Sequence, residues 1–367
     1  MKKNISIIAQ KSARVLLYSF AGIGFLFASV YAAMHFHLTD VKGSIDSRNS
    51  YFSEVTKNAK INASLLNAQA YQSDAGLDAV TTCQLVTISS VLPRNGKMIF
   101  DAYKSTNSPE VVKKMIGALL LVTKSNTFLQ DKIHTCDTYE NTSGSSSTPS
   151  NQTIFDWALS LEWESLRAAL VKDKDSILLA SKDSGVPARM IVSTVIAEQF
   201  RFFTSNRESF KRYFEPLKIL GNGTKFSYGV AGVKLETAQQ IEVYLKNQNS
   251  KFYLGPEFEK LLDYKTEDPD SERLVRLTDN KNHYFSYLYT GLFLKQIIYQ
   301  WAQEGYDIHD RPEVLATLFN LGYMKSIPKA NPEVGGSTII INDREYTFGG
   351  LSYEFYYSGE LSDLFPL

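Results

Sequence analysis

Cysteine is nearly absent from this chain of 367 residues, which has only Cys83 and Cys136. Two thiols cannot build a four-thiolate zinc or iron–sulfur centre. Histidine does not fill the gap: His35, His37, His134, His283 and His309 are scattered, and no HExxH occurs. No metal and no other cofactor is therefore expected. An excess of one charge is missing too, with 39 basic and 39 acidic residues. Without a basic field or any nucleic-acid-binding motif, no nucleic-acid partner is expected. What remains is 44% hydrophobic and 21% charged, the composition of a folded, core-forming protein.

The first feature present is a long apolar run. Val15 to Met34 carries no charge and has the length of a membrane-spanning helix. Lys2, Lys3, Lys11 and Arg14 precede it, which keeps residues 1–14 cytoplasmic and exports the remainder. The expected anchor is residues 15–36. A cleaved signal peptide is the rival, because Val30-Tyr31-Ala32 resembles a cleavage site. Either way the bulk of the chain lies outside the cytoplasm, in the periplasm or at the cell exterior. In that oxidising setting Cys83 and Cys136 are expected to form a disulfide, the alternative being two buried thiols.

Residues 37–139 show helical periodicity, as in Ala59–Tyr71 and Pro109–Thr123, and read as a small helical domain that could dock an envelope protein. Residues 140–153, rich in Ser and Thr, read as a flexible linker. Residues 154–367 form the second extracytoplasmic domain and hold all three tryptophans. Phe155–Ala180 reads as one long helix, broken by Ser184-Gly-Val-Pro187. Further helices are expected over Thr237–Lys246, His283–Gln303 and Pro312–Leu321. Two short β-rich runs around Asn342-Asp343 signal a hairpin near the C-terminus. The fold class is therefore mainly α with a small β element.

Glu198 stands out within Ile191–Phe200. At helical spacing it shares a face with Ile191, Val195 and Phe202. A carboxylate without a partner in such surroundings is costly when ionised, so it is expected to keep its proton near neutral pH, as a general acid must. The structural alternative is a buried Glu satisfied by an Arg or Lys.

Two further segments follow it in order. Ser227-Tyr-Gly-Val-Ala-Gly-Val-Lys-Leu-Glu-Thr-Ala238 resembles Ser-x-Gly-Leu-Met-Gln-x-x-Pro-x-Thr-Ala, with Gly232 in the place of Gln and Leu235 in that of Pro. Leu315-Ala-Thr-Leu-Phe-Asn-Leu-Gly322 resembles Ala-x-x-Tyr-Asn-x-Gly, with Phe319 in the place of Tyr. With the helix carrying Glu198, where Gln199 stands in the place of the usual Ser, these segments resemble the lysozyme-like lytic transglycosylases of the soluble type. The likeness covers roughly residues 154–325.

That resemblance implies a lysozyme-like α domain acting on peptidoglycan glycan strands. Glu198 would protonate the bond between N-acetylmuramic acid and N-acetylglucosamine, then accept the C6 hydroxyl proton as a 1,6-anhydro product closes. Ser227, Tyr228, Gly229, Val230, Phe319, Asn320 and Tyr323 would contact substrate, the backbone at Gly229 and Val230 receiving the N-acetyl group. Tyr323 could supply the hydroxyl that Phe319 lacks. The rings of His283–Tyr289 and Tyr353–Tyr357 are candidate sugar platforms. Glu208, Glu215 and Glu236 read as solvated acids. The competing reading, favoured by the changes at Gly232 and Phe319, is a catalytically inactive wall-binding or envelope-assembly protein.

Overall fold

A computed structural model describes residues 14, 16–29, 32, 43–50, 52–53, 77–122, 127–138, 155–204 and 227–367. The chain divides into two units, Met1–Lys42 and Gly43–Leu367. In the first, residues 16–29 are helical with exposed side chains. Among the described residues no helix is long and apolar enough to cross a membrane. The expected helix Ala59–Tyr71, the linker and Val30-Tyr31 lie outside the described residues.

The second unit is mainly helical with a few short strands. It opens on strand β1 (Ser44–Ile45), followed by α1 (Ala79–Val91), α2 (Pro93–Thr106), α3 (Pro109–Val122) and α4 (Thr127–His134). Local chemistry sets these bounds. Asp78 caps α1 by accepting the Thr81 amide at 2.9 Å. Asn107, at φ 49°, ends α2, and the Ser108 hydroxyl then accepts the Val111 amide at 3.3 Å to start α3. Cys83 on α1 is disulfide-bonded to Cys136, in a 3-10 turn just after α4. The bridge closes a sequence separation of 53, worth about 4 kcal/mol on the chain-entropy account. Dithiothreitol is expected to lower the urea midpoint accordingly. An unchanged midpoint would show that the bridge contributes nothing.

The next helices are α5 (Leu161–Lys172), α6 (Lys174–Ser184) and α7 (Ala188–Thr204). Phe155–Ala180 is thus not one helix: a 3-10 turn at Asp156–Leu159 precedes α5, and the chain breaks again at Asp173. The Asp173 carboxylate takes a 2.8 Å hydrogen bond from Tyr287 and lies 2.5 Å from His283 Nδ1. Distant partners override helical periodicity here. The break at Ser184–Pro187 falls as expected, with Gly185 at φ 67° ending α6.

After them come β2 (Ser227–Tyr228), β3 (Val233–Lys234), α8 (Leu235–Lys246), α9 (Pro269–Thr278), α10 (Tyr284–Gln303) and α11 (Pro312–Leu321). The last elements are β4 (Gly335–Gly336), β5 (Thr338–Ile341), β6 (Arg344–Thr347) and α12 (Phe348–Ser358). α10 is apolar on nearly all sides, as a central helix must be, and packs on α6. α12 is buried along its length and packs on α7, α11 and α3. Asn342 and Asp343 have φ of 49° and 62°, the twist of a type I′ hairpin, and Ile341 pairs with Arg344 across it.

Segments 79–138 and 156–367 share this single compact unit. Lys114 on α3 reaches Asp310 at 2.8 Å, just before α11. β1, which the sequence reading lacked, pairs antiparallel with β4. A Cβ on Gly335 would overlap the Ser44 carbonyl, so only glycine admits this close approach. Beyond β1, Arg48 donates to Asp46 at 3.1 Å and to fully buried Glu354 on α12 at 2.8 Å. Asp46 also accepts the Thr347 hydroxyl at 2.6 Å.

Candidate functional site

α7 is held rigidly at its start. The buried Arg189 guanidinium donates to the carbonyls of Tyr356, Glu360, Phe365 and Phe355, at 2.7 to 3.1 Å. Ile191, Val192, Val195 and Ile196 are buried along the helix. Glu198 is 2% exposed, so the apolar stripe places its carboxylate inside as expected.

The carboxylate is not alone there. Arg201 Nε donates to Glu198 Oε2 at 3.0 Å, and Arg201 Nη2 donates to Oε1. This corrects the expectation of an unpartnered acid. A buried carboxylate needs a counter-charge, and residues three apart on a helix lie side by side. The Glu-x-x-Arg spacing was the signal in the sequence. The Arg201 guanidinium also lies 5.2 Å from the Phe202 ring centroid.

β2 and β3 form a small hairpin, Ser227 pairing with Lys234 and Tyr228 with Val233. Its turn lies directly on Glu198. Gly232, at φ 61°, has no room for a Cβ, which would overlap Glu198 Oε1 and fall 2.6 Å from Cδ. The residue in the place of the family's Gln is therefore sterically matched to this carboxylate. Gly229, at φ 67°, approaches the Leu277 carbonyl and the Ser286 hydroxyl so closely that a Cβ would overlap both. Gln199 donates its side-chain amide to the Val230 carbonyl. That carbonyl, a candidate acceptor for a sugar N-acetyl group, is thus occupied from the neighbouring helix.

The third segment lies on α11, which packs against α7. Phe319 sits 5.2 Å from Phe293 and 6.5 Å from Phe348, centroid to centroid. Asn320 Oδ1 accepts the Ser337 amide at 2.9 Å and its hydroxyl at 3.1 Å, tying the helix end to the linker between β4 and β5. Gly322, at φ 85°, ends α11. Tyr323 is buried among Phe293, Tyr244 and Phe252, and its hydroxyl donates to Gln296. Burial and the nearby Tyr244 push that phenol well above its ordinary range. Its hydroxyl is committed to Gln296, not to replacing the one that Phe319 lacks.

The expected sugar platforms divide. Tyr287, Tyr289, Tyr353, Phe355, Tyr356 and Tyr357 are buried core, while Tyr284 and Phe285 remain partly exposed. Glu236 is exposed in the first turn of α8, as read. Glu208 and Glu215 lie outside the described residues.

Among the described residues, carboxylates that the sequence did not single out are held in the interior or at its edge. Glu354 is fully buried in the aromatic run Tyr353–Tyr357 and accepts from Arg48. Glu242 accepts from Tyr289 at 2.6 Å, from Arg273 at 2.8 and 2.6 Å, and from Tyr264. A cavity of about 580 Å³ opens beside it, lined among others by Lys246, Asn247, Glu259 and Tyr264. Compared with known proteins, the chain matches no family model, no curated protein and no solved structure.

Proposed function

We propose that this chain is a membrane-tethered peptidoglycan lytic transglycosylase with a lysozyme-like α domain and Glu198 as its single acid and base. One observation carries the reading: the buried Glu198 carboxylate lies against the glycine turn of the β2–β3 hairpin. That contact brings together two of the three sequence segments that resemble the family.

The chemistry then needs one carboxyl. Protonated Glu198 gives its proton to the glycosidic oxygen as the bond to C1 breaks. The carboxylate left behind takes the proton of the muramic C6 hydroxyl as that oxygen bonds to C1. The enzyme ends as it began and no water is consumed. A hydrolytic mechanism would usually call for a second carboxylate at a set separation. Arg201 adds a condition: its guanidinium must turn away from the carboxyl before Glu198 can act as an acid. In this proposal residues 15–36 anchor the chain in the membrane. Residues 37–367 then lie outside the cytoplasm, with 37–139 available to an envelope partner.

The Arg201 pair favours a second reading, in which Glu198 is structural and the chain binds the wall without cutting it. Incubating the full chain with sacculi and weighing the soluble products separates the two. Anhydromuropeptides, one water lighter than hydrolysed ones, support the transglycosylase. Sacculus binding with no soluble product supports the binder, and hydrolysed ends would replace the transglycosylase mechanism with a lysozyme one.

A further inference from the structure

The stretch that closes α11 exposes large apolar side chains that the site does not use. Leu321, Met324 and Ile327 are 42%, 86% and 65% exposed. They lie within seven residues of chain, before, in and after a 3-10 turn at Tyr323–Lys325. Lys325 and Lys329 are exposed in the same stretch, Lys329 lying 3.3 Å from Glu333. Such apolar projections cost solubility and mark contact surfaces.

Chain continuity says what covers this one. A Cβ built on Gly43 falls 3.1 Å from Leu321 Cδ2, so the stretch adjoins the first residue of the second unit. Ile45, one residue past Ser44, is itself 59% exposed. The uncharged run ends at Met34, nine residues before Gly43. Fully extended, that connection spans about 30 Å at ~3.5 Å per residue. An anchored chain therefore keeps Leu321 within reach of the lipid headgroups, where apolar side chains flanked by lysine insert and pair with anionic lipid.

We infer that the Leu321–Lys329 stretch is a membrane-docking surface that dips Leu321, Met324 and Ile327 into the headgroup layer of the bilayer holding residues 15–36. It rests on the anchor reading.

The test uses the full chain in vesicles of phosphatidylcholine with one third phosphatidylglycerol, with and without bromine on the acyl chains. Trp157, Trp163 and Trp301 are 0, 3 and 1% exposed, so native emission is shielded from the quencher. Met324→Trp is expected to add blue-shifted emission that bromolipid quenches by more than half. Val86→Trp, at a 63% exposed position on α1, is expected to add emission that bromolipid leaves intact. Equal quenching at both positions, or none at position 324, overturns the docking surface. Protein that fails to float with the vesicles removes the anchor reading and the docking surface together. Floating without quenching removes docking alone.

Discussion

Glu198→Gln is expected to abolish release of anhydromuropeptides while sacculus binding persists. The substitution keeps the side chain's shape and one oxygen to accept from Arg201, so the contact with the hairpin turn survives. It removes the group that carries a proton in both steps. General acid–base contributions run to about 10²–10⁴-fold for one step, and here a single carboxyl serves two, which puts the loss at the upper end or beyond. Circular dichroism and the melting temperature, measured alongside, separate lost chemistry from lost folding. A folded variant that releases anhydro products at the wild-type rate ends the assignment of Glu198. Unchanged binding with no product from either protein selects the non-catalytic reading.

Arg48→Met is expected to be strongly destabilising in the second unit. Glu354 is fully buried, and its Oε2 finds no hydrogen-bond partner among the described residues. Arg48 at 2.8 Å is its close counter-charge, with Arg344 3.9 Å away. Removing one member of a buried pair costs about 3–5 kcal/mol, read as a drop in the urea midpoint at pH 7. Burial raises the Glu354 carboxyl above its ordinary value, and the two arginines oppose the rise. A group raised on folding contributes stability that is complete below the unfolded value and is lost as pH rises through the folded one. Without Arg48 the opposition weakens, so the variant should regain stability on acidification from pH 7 toward about pH 5.

Asp46 works the other way. Burial opposes its ionisation, yet hydrogen bonds and charge from Arg48, and the Thr347 hydroxyl, hold it below the ordinary carboxylate range. Its contribution is present above the unfolded value and fades as pH falls through the folded one. Adding Glu354→Gln to Arg48→Met should restore part of the loss, because it replaces the stranded charge with a neutral amide. An Arg48→Met protein as stable as wild type at pH 7 would show that the cluster does not hold β1 in place.

Much of the architecture was legible because its signals are local. The Asn342-Asp343 turn, the break at Gly185 and Pro187, and α11 at Pro312–Leu321 each depend on residues a few positions apart. Elements whose causes lie far along the chain were not legible. β1 is two residues long and exists because Gly335 lets the Ser44 carbonyl approach. The split at Asp173 exists because His283 and Tyr287 claim its carboxylate. At the candidate site, the burial of Glu198 could be read from the spacing of Ile191 and Val195. The pairing with Arg201 could have been read as well, since three residues on a helix suffice. The match of Gly232 to the Glu198 carboxylate could not, because it joins two segments that only the folded chain brings together.

Taken alone, the sequence determined a mainly helical chain, two cysteines positioned to pair, and a glutamate destined for the interior. Helical period, capping residues and turn chemistry act over a few residues, so composition and spacing suffice to state them. Tertiary structure decided which acids have which partners: Glu198 with Arg201 beneath a glycine turn, Glu354 with Arg48, Glu242 with Arg273. It also decided that the ring of Tyr323 packs as core. Charge pairing and desolvation depend on distances of a few ångströms between groups remote in sequence, and only the folded chain sets those distances.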